Sequence, residues 1–127
     1  MTTDAPPSGK TPSGAFSVLS QRADFLRAAR ARRVPMPAFL LQARKRAVDE
    51  PAQTAIRVGY TCSKKVGNAV ARNRAKRRLR EIARAVVPLE GQPGWDYVLI
   101  GRAGETATRD FAALKDDLAR ALRKAHR

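Results

Sequence analysis

Hydrophobic and polar positions separate most clearly in the segment that follows Asn68. At about 3.6 residues per turn, one side of this segment is apolar and carries Ala71, Ala75, Leu79, Ile82 and Val86. The opposite side is polar and basic and, with its flanks, carries Asn73, Arg74, Lys76, Arg77, Arg80 and Arg84. Asn68 can cap this segment, and Pro88 predicts its end. The pattern therefore predicts an amphipathic helix with a buried side and a basic side.

The segments on either side of this helix predict a small α/β sandwich. Residues 22–33 have helical character, and Pro35 and Pro37 end that helix and exclude a central strand there. Short apolar runs at residues 38–44 and 97–100 predict strands.

Two further elements complete the predicted order of helix, strands, helix, strand, helix. A half-buried strand is indicated by the alternating positions Ile56, Val58, Tyr60 and Cys62. A last helix, which Thr108 can cap, has a predicted core face of Phe111, Leu114, Leu118 and Leu122.

Charge narrows the class of partner. The 127 residues contain 26 Lys and Arg against 11 Asp and Glu, which gives a formal charge of +15 and a pI near 11.5. A chain of this size fits one domain, and such a charge favours polyanionic partners. Residues 63–80 contain only cations among their charged side chains. A solvated helix face ordinarily mixes acids with bases, so nucleic acid is the favoured partner.

Composition also excludes several functions. Cys62 and His126 are the only residues of their types, so an internal disulfide and a cysteine metal cluster are excluded, and a Ser-His-Asp triad is disfavoured. No apolar run is long enough to span a membrane, and the first residues lack the layout of a signal peptide. We therefore expect no membrane partner and a cytoplasmic location. Residues 1–14 are predicted to form a disordered tail, followed by a single domain at residues 15–127.

A longer run of sequence carries a family resemblance. The strand end and turn TCSKKVGNAV at residues 61–70 lead into RNR at residues 72–74. The flanking segments are RADF at residues 22–25, RVGY at residues 57–60 and DYVLI at residues 96–100. Together these segments resemble the protein subunit of bacterial ribonuclease P over roughly residues 19–125. A lone RNR would carry little weight, whereas the whole ordered run is specific.

The resemblance implies both a fold and a role. The implied fold is a single α/β domain with a four-stranded sheet and three helices in the order α-β-β-β-α-β-α, with a left-handed βαβ crossover. The implied role is to bind a large catalytic RNA and the 5′ leader of precursor tRNA, and so to assist hydrolytic removal of the leader. The active site and its Mg²⁺ ions would be held mainly by the RNA and the substrate. No catalytic residue, no protein metal site and no obligate protein partner are expected.

The motif positions name candidate site residues. Those expected to bind RNA are Lys64, Lys65, Arg72, Asn73, Arg74, Lys76, Arg77, Arg80 and Arg84. Those expected at the leader cleft are Phe25, Arg30 and Arg44. Phe25 is open to two interpretations, a stacking surface for a base or a core side chain. Some relatives have aromatic residues where this chain has Ala29 and Gln42, so stacking is expected to be weaker here. Arg78, beside the apolar stripe, is expected to be solvated.

Two other classes compete with the ribonuclease P interpretation. A structural RNA-binding protein, such as a small ribosomal protein, would share the charge, the size and related topologies. A DNA-binding regulator is less favoured because the sequence lacks helix-turn-helix spacing and a dimerisation heptad. The motif run separates the first interpretation from both alternatives.

Overall fold

The computed structural model describes residues 16–50 and 55–127. Its strands are β1 (Phe16–Val18), β2 (Arg32–Pro35), β3 (Phe39–Lys45), β4 (Ile56–Cys62) and β5 (Trp95–Gly101). Its helices are α1 (Arg22–Ala29), α2 (Ala69–Glu90), the single turn α3 (Glu105–Thr108) and α4 (Phe111–Ala125), with a 3-10 turn at Lys64–Val66. The predicted tail at residues 1–14 lies outside the described residues.

The five strands form one mixed sheet in the order β1-β4-β5-β3-β2. β4 pairs in parallel with both β1 and β5, and β3 pairs antiparallel with both β5 and β2. The four-stranded sheet that the resemblance implied was wrong, because the sheet has five strands. The sequence pattern missed β1, which has only three residues, too few to show a period, and β2, which falls in a segment assigned to the first helix. The β4–α2–β5 connection joins two parallel neighbours, and its left hand stays a prediction.

Helices cover the two faces of the sheet unequally. The main core lies between the sheet and the helices α2 and α4, and its fully buried side chains include Phe39, Leu41, Val58, Leu79, Tyr97, Leu99, Leu118 and Leu122. On the opposite face, α1 buries a small cluster made by Leu19, Ala28 and Val98, with Phe25 and Ile100 packed against it. Because α1 has only eight residues, much of this second face stays open.

Two predicted helix boundaries were wrong. The first helix ends at Ala29, after which Arg30 and Ala31 donate backbone hydrogen bonds three residues back and the chain turns into β2. Pro35 is the last residue of β2, an edge strand, so the exclusion of a central strand there is confirmed. Pro88 does not end α2, which continues to Glu90, since a proline in the last turn removes only one backbone donor.

The start of the last helix also differs from the prediction. Its cap is Asp110, whose carboxylate accepts a hydrogen bond from the Ala113 N–H at 3.1 Å, whereas the Thr108 hydroxyl donates to the Gly104 carbonyl. Leu114, Leu118 and Leu122 are buried as predicted. Phe111 is instead exposed, because it is the first helical residue and lies beyond the edge of the core.

Candidate nucleic-acid interface

A compact turn positions the start of the basic helix α2. Ser63 Oγ accepts a hydrogen bond from the Lys65 N–H at 3.3 Å, and Asn68 Oδ1 accepts one from the Ala71 N–H at 3.0 Å. Gly67 lies between these caps with φ of 139°, a conformation that favours glycine. The predicted cap at Asn68 is confirmed. Lys64 and Lys65 are exposed on this turn, directly before α2.

The division of α2 into two sides is confirmed. The buried side contains Ala75, Leu79, Ile82, Ala83, Val86 and Val87. The side that we call the basic row contains exposed Asn73, Arg74, Arg77, Arg80 and Arg84, with half-buried Arg72 and Lys76 at its margin. Within the part of the chain that the structure describes, no carboxylate forms an ion pair with a cation of this row. The row therefore presents uncompensated positive charge to solvent.

Arg78 was expected to be solvated, and the structure shows otherwise. Its guanidinium donates to the backbone carbonyls of Ala107 at 2.8 Å and Arg109 at 2.5 Å, and it lies 5.8 Å from the centroid of the Phe111 ring. The Ala107 carbonyl belongs to α3, and the Arg109 carbonyl lies in the connection between α3 and α4. Arg78 therefore fastens that connection to α2 and does not belong to the basic row.

Arg80 connects the basic row to the sheet. Its guanidinium carbon lies 5.6 Å from the centroid of the Tyr60 ring, within range of a cation–π interaction. Burial raises the pKa of Tyr60 to about 12, so its hydroxyl stays protonated at neutral pH. Tyr60 packs against the main core, in agreement with its place among the alternating positions of the half-buried strand.

An open groove of about 470 Å³ lies on the other face of the sheet, beside α1. Among its lining residues are Phe25 and Ala29 from α1, Gln42 from β3, and Val98 and Ile100 from β5. Phe25 also packs against the small apolar cluster beneath α1. Both interpretations of Phe25 thus describe its position, since the side chain packs against the sheet and also lines the groove.

A second, more basic groove continues from the first. The two grooves share Ile100, and the second is lined by three cationic side chains, Arg33, Lys65 and Arg102. Arg102 is held in place by a hydrogen bond of 3.1 Å from its Nε to the Met36 carbonyl. The two grooves adjoin at Ile100 and are together called the sheet groove below; their linings extend from α1 to the turn that begins α2.

Sequence reasoning missed Arg33 and Arg102. The signal for Arg33 was the β2–β3 register, in which Arg33 pairs with Gln42, but that register cannot be read until β2 is recognised as a strand. Arg102 directly follows β5 and carries no periodic signal.

Arg30 and Arg44 are not brought together with Phe25. Arg30 is exposed at the end of α1 and does not line the sheet groove. Arg44 makes a two-fold contact with the Glu50 carboxylate, at 2.6 and 3.2 Å, and lies 3.8 Å from Asp96. This hydrogen bonding raises the pKa of Arg44 and holds the pKa of Glu50 at about 2. The charge of Arg44 is therefore largely balanced within the protein.

The flanking motif segments converge on a buried carboxylate. Asp96, which is fully buried, accepts hydrogen bonds from Arg46 at 2.5 Å and from Arg57 at 2.8 Å through both of its oxygens. Arg57 also lies 3.5 Å from Asp24 of α1. The hydrogen bond to Asp96 raises the pKa of Arg57. These motif residues therefore tie α1, β4 and β5 together below the sheet groove.

Neither a membrane span nor a metal cluster is found among the described residues. Within residues 16–50 and 55–127, no helix has both the length and the apolar character needed to cross a bilayer. In the same ranges, no three His, Cys, Asp or Glu side chains are grouped so that they could hold a metal ion. The described residues thus present a basic row and a groove, both suited to binding a polyanion.

Comparison with known proteins agrees with this geometry. The family model for ribonuclease P matches residues 15–126. The ribonuclease P protein component of Ruegeria pomeroyi is 65% identical over 114 residues, which cover 90% of this chain and 90% of that protein. The corresponding protein of Caulobacter vibrioides is 51% identical over 107 residues, which cover 84% of this chain and 69% of the relative.

Solved structures share the fold. The ribonuclease P protein from Thermotoga maritima superposes with a TM-score of 0.69 at 27% identity, covering 85% of this chain and 96% of that one. The protein from Staphylococcus aureus gives a TM-score of 0.67 at 25% identity, covering 85% of this chain and 94% of that one. With its sequence motifs, fold and relatives in agreement, the chain belongs to the ribonuclease P protein family.

Proposed function

We propose that this chain is the protein subunit of a ribonucleoprotein endonuclease that removes the 5′ leader from precursor tRNA. The basic row of α2, with Lys64 and Lys65, binds the catalytic RNA. The sheet groove binds the single-stranded leader. The holoenzyme acts in the cytoplasm, where its RNA partners are transcribed.

The observation that carries the proposal is the uncompensated charge of the basic row. Guanidinium groups can each take two phosphate oxygens, and Asn73 can donate to or accept from sugars and base edges. Because the buried side of α2 is fixed in the core, these side chains stand on a rigid helix. A rigid cationic row suits the fixed phosphate spacing of a folded RNA.

The sheet groove supports the second part of the proposal. Phe25 offers an aromatic surface on which an unpaired base can stack, and Arg33, Lys65 and Arg102 lie farther along the groove where phosphates would follow. The groove ends at the turn that begins α2. A leader in the groove would therefore run toward the RNA bound by the basic row.

In this proposal the protein positions RNA, and the bond-breaking chemistry belongs to the RNA partner. Mg²⁺ would be held mainly by the catalytic RNA and the substrate, and it would supply the chemistry of water activation and leaving-group stabilisation there. The protein contributes affinity for the leader and reduces phosphate repulsion near the cleavage site.

The test is reconstitution of leader removal by the cognate catalytic RNA at low Mg²⁺, with and without the purified protein. We expect the protein to restore cleavage. Arg77→Ala should weaken the effect, and Lys124→Ala, which removes one exposed charge from α4, serves as the charge-matched control. A protein that binds RNA but restores no cleavage would belong to a structural RNA-binding class, and the proposal would be wrong.

A further inference from the structure

A pocket of about 460 Å³, called the Trp95 pocket below, lies where α4 ends. Its walls come from β2, the end of β3, the turn between α2 and β5, and the last residues of α4, and it shares no lining residue with the sheet groove. The lining contains no acidic side chain but has four cationic ones, Arg32, Arg44, Lys45 and Arg127. Because Arg44 is paired with Glu50, the charge offered to a ligand comes mainly from the other three side chains. The pocket therefore favours an anionic group.

An indole ring forms one wall of this pocket. Trp95 is the first residue of β5 and is half-buried. The imidazole of His126 packs edge-on against it with ring centroids 4.4 Å apart, and the Tyr97 ring lies nearly parallel to it with centroids 6.3 Å apart. These two neighbours fix the orientation of the indole before a ligand arrives. A fixed ring that lines an open pocket offers a stacking surface at a small cost in conformational entropy.

Strand register places a cation beside the indole. Lys45 is the direct cross-strand partner of Trp95 in the antiparallel β3–β5 pair, so the two side chains project from the same face with Cβ atoms about 5 Å apart. Lys45 is exposed and forms no ion pair with a carboxylate in residues 16–50 and 55–127. An aromatic surface with an adjacent free cation matches the two parts of a nucleotide, its base and its phosphate.

A second cation has a fixed position in the same wall. Nη1 of Arg32 donates to the Ala125 carbonyl at 2.7 Å, which holds the end of α4 against β2. This contact leaves the other N–H donors of the guanidinium available for a phosphate oxygen. The Trp95 pocket is thus built from parts that the fold already holds in place.

We infer that the Trp95 pocket holds one unpaired nucleotide of the catalytic RNA, with its base on the indole and its phosphate on Lys45. This inference rests on the proposed function. The nucleotide must be unpaired, because only a base that is free of its own stack can lie on a protein ring. The basic row ends at Arg84, and Gln92 of the pocket wall follows the end of α2 so closely that their Cα atoms are within about 20 Å. One RNA molecule can therefore occupy both sites, and the second contact would fix the orientation of the protein on the RNA.

The fluorescence of Trp95 provides a direct test. It is the only tryptophan of the chain, so its emission reports on this pocket alone. The full-length protein is titrated with its cognate catalytic RNA, with inorganic polyphosphate, which carries charge but no bases, and with adenosine monophosphate. After correction for absorption by the RNA, we expect saturable quenching by the RNA as it binds. Polyphosphate, and the mononucleotide at the same nucleotide concentration, should leave the emission nearly unchanged.

Variants separate stacking from charge. Trp95→Leu should weaken binding of the catalytic RNA by about 5- to 150-fold, the range for one base on an aromatic ring, and Trp95→Phe should recover much of the affinity. Lys45→Gln should make the slope of log affinity against log salt shallower by about 0.7–0.9. Lys115→Gln, the same change in the first half of α4 and outside the pocket, should leave the slope intact. Thermal unfolding verifies that each variant is folded, and Lys45→Gln, at an exposed position, keeps the test decisive if Trp95→Leu does not fold.

The outcomes separate this inference from the proposed function. Saturable quenching by the RNA, with a shallower slope in Lys45→Gln and an unchanged slope in Lys115→Gln, supports the inference. RNA binding without a change in Trp95 emission, or equal quenching by polyphosphate or by the mononucleotide, overturns it and leaves the role of the basic row intact. Failure of the wild-type protein to bind the catalytic RNA would instead overturn the proposed function.

Discussion

Gly59 and Phe25 show how a single missing side chain shapes the site. A Cβ atom added at Gly59 would lie 2.6 Å from Cε1 and 2.7 Å from Cζ of the Phe25 ring, and 3.2 Å from the Cβ of Leu19. The ring can approach β4 this closely only because this position has no Cβ. The aromatic wall of the sheet groove is therefore set by a glycine on a strand as much as by the helix that carries the ring.

We predict that Gly59→Ala displaces the Phe25 ring. Overpacking of this kind costs about 1–3 kcal/mol of unfolding free energy, measured by urea denaturation. Affinity for precursor tRNA should fall relative to mature tRNA, because the stacking surface has moved. The double variant Gly59→Ala, Phe25→Leu should recover part of the stability, since a smaller side chain relieves the clash. Two additive losses would show that the ring and the new methyl group do not compete.

Asp96 is the residue on which the internal charge network depends. It is fully buried and faces Arg46, whose side chain is almost fully buried too, and the half-buried Arg57. We predict that Asp96→Asn costs about 3–5 kcal/mol in equilibrium unfolding, because it removes the buried negative charge that both guanidinium groups contact. The matched control is Asp116→Asn at an exposed ion pair with Arg120, which should change stability little. Similar small losses in both variants would contradict this role of Asp96.

At the scale of elements, α2 combines two kinds of arginine in adjacent positions. Arg77 is exposed in the basic row, whereas Arg78 donates to the backbone carbonyls of Ala107 in α3 and of Arg109 directly after it. Leu79, the next residue, is fully buried in the core. These three consecutive residues therefore have three different environments. Substituting each of them in turn tests whether the exposed and buried sides of α2 are assigned correctly.

We predict three distinct responses to alanine. Arg77→Ala should leave stability nearly unchanged and make the slope of log affinity against log salt shallower by about 0.7–0.9, the loss of one phosphate contact. Arg78→Ala should lose about 1.5–3 kcal/mol of stability with the salt slope intact. Leu79→Ala should lose about 2–5 kcal/mol by opening a cavity, also without a change of slope. RNA titrations at several salt concentrations and urea denaturation measure both quantities. An unchanged slope in Arg77→Ala would remove Arg77 from the interface.

An element could be predicted from the sequence when its hydrophobic pattern repeats over many residues. The period of α2 runs over six turns, so its buried side and its basic row were both predictable. β1 and β2 have three and four residues, too few for a period, and their pairing depends on partners distant in the chain. The sheet groove shares this limit. Strand register places Arg33 and Gln42 opposite each other. Arg44 is paired with Glu50, a contact that no sequence pattern predicts.

At the scale of the whole molecule, acids and bases are distributed differently. Among the residues that the structure describes, six carboxylates pair with arginines, namely those of Asp24, Glu50, Glu90, Asp96, Asp116 and Asp117. Asp110 caps α4. These acids thus mainly stabilise the fold. The cations of α2 and of the sheet groove therefore dominate the electrostatic field around the protein. A net charge of +15 arranged in this way supports association with RNA that depends strongly on salt.

The single histidine, His126, connects the end of α4 to β5. The Tyr97 hydroxyl accepts a hydrogen bond from the Gln92 N–H at 2.9 Å and lies 2.6 Å from Nε2 of His126. With its acceptor role used by Gln92, the hydroxyl is placed to donate to an unprotonated Nε2. The imidazole also packs edge-on against Trp95, with ring centroids 4.4 Å apart. This contact joins the end of α4 to β5 when His126 is neutral.

The histidine makes the stability of the whole fold depend on pH. Burial, with a smaller contribution from Arg32, lowers the pKa of His126 below its ordinary value of 6.5. The unfolded chain therefore binds a proton more readily than the folded chain. The contribution of neutral His126 to the unfolding free energy is fully present above about pH 6.5 and is lost as the pH falls through the folded pKa. We predict a fall of unfolding free energy between pH 7 and 5, no steeper than about 1.4 kcal/mol per pH unit, the limit for one proton.

His126→Gln provides the control for this pH dependence, because an amide oxygen can still accept from Tyr97 but does not titrate. Denaturation at intervals of pH should show the slope between pH 7 and 5 in the wild type and its loss in the variant. The chain has no second histidine, and the lowered pKa of Glu50, about 2, places its contribution at more acidic pH. A slope that persists in His126→Gln would assign the titration to another group. A slope of opposite sign in the wild type would mean that the folded protein stabilises the imidazolium. The Nε2 proton would then face the Tyr97 oxygen, the reverse of the hydrogen bonding described here.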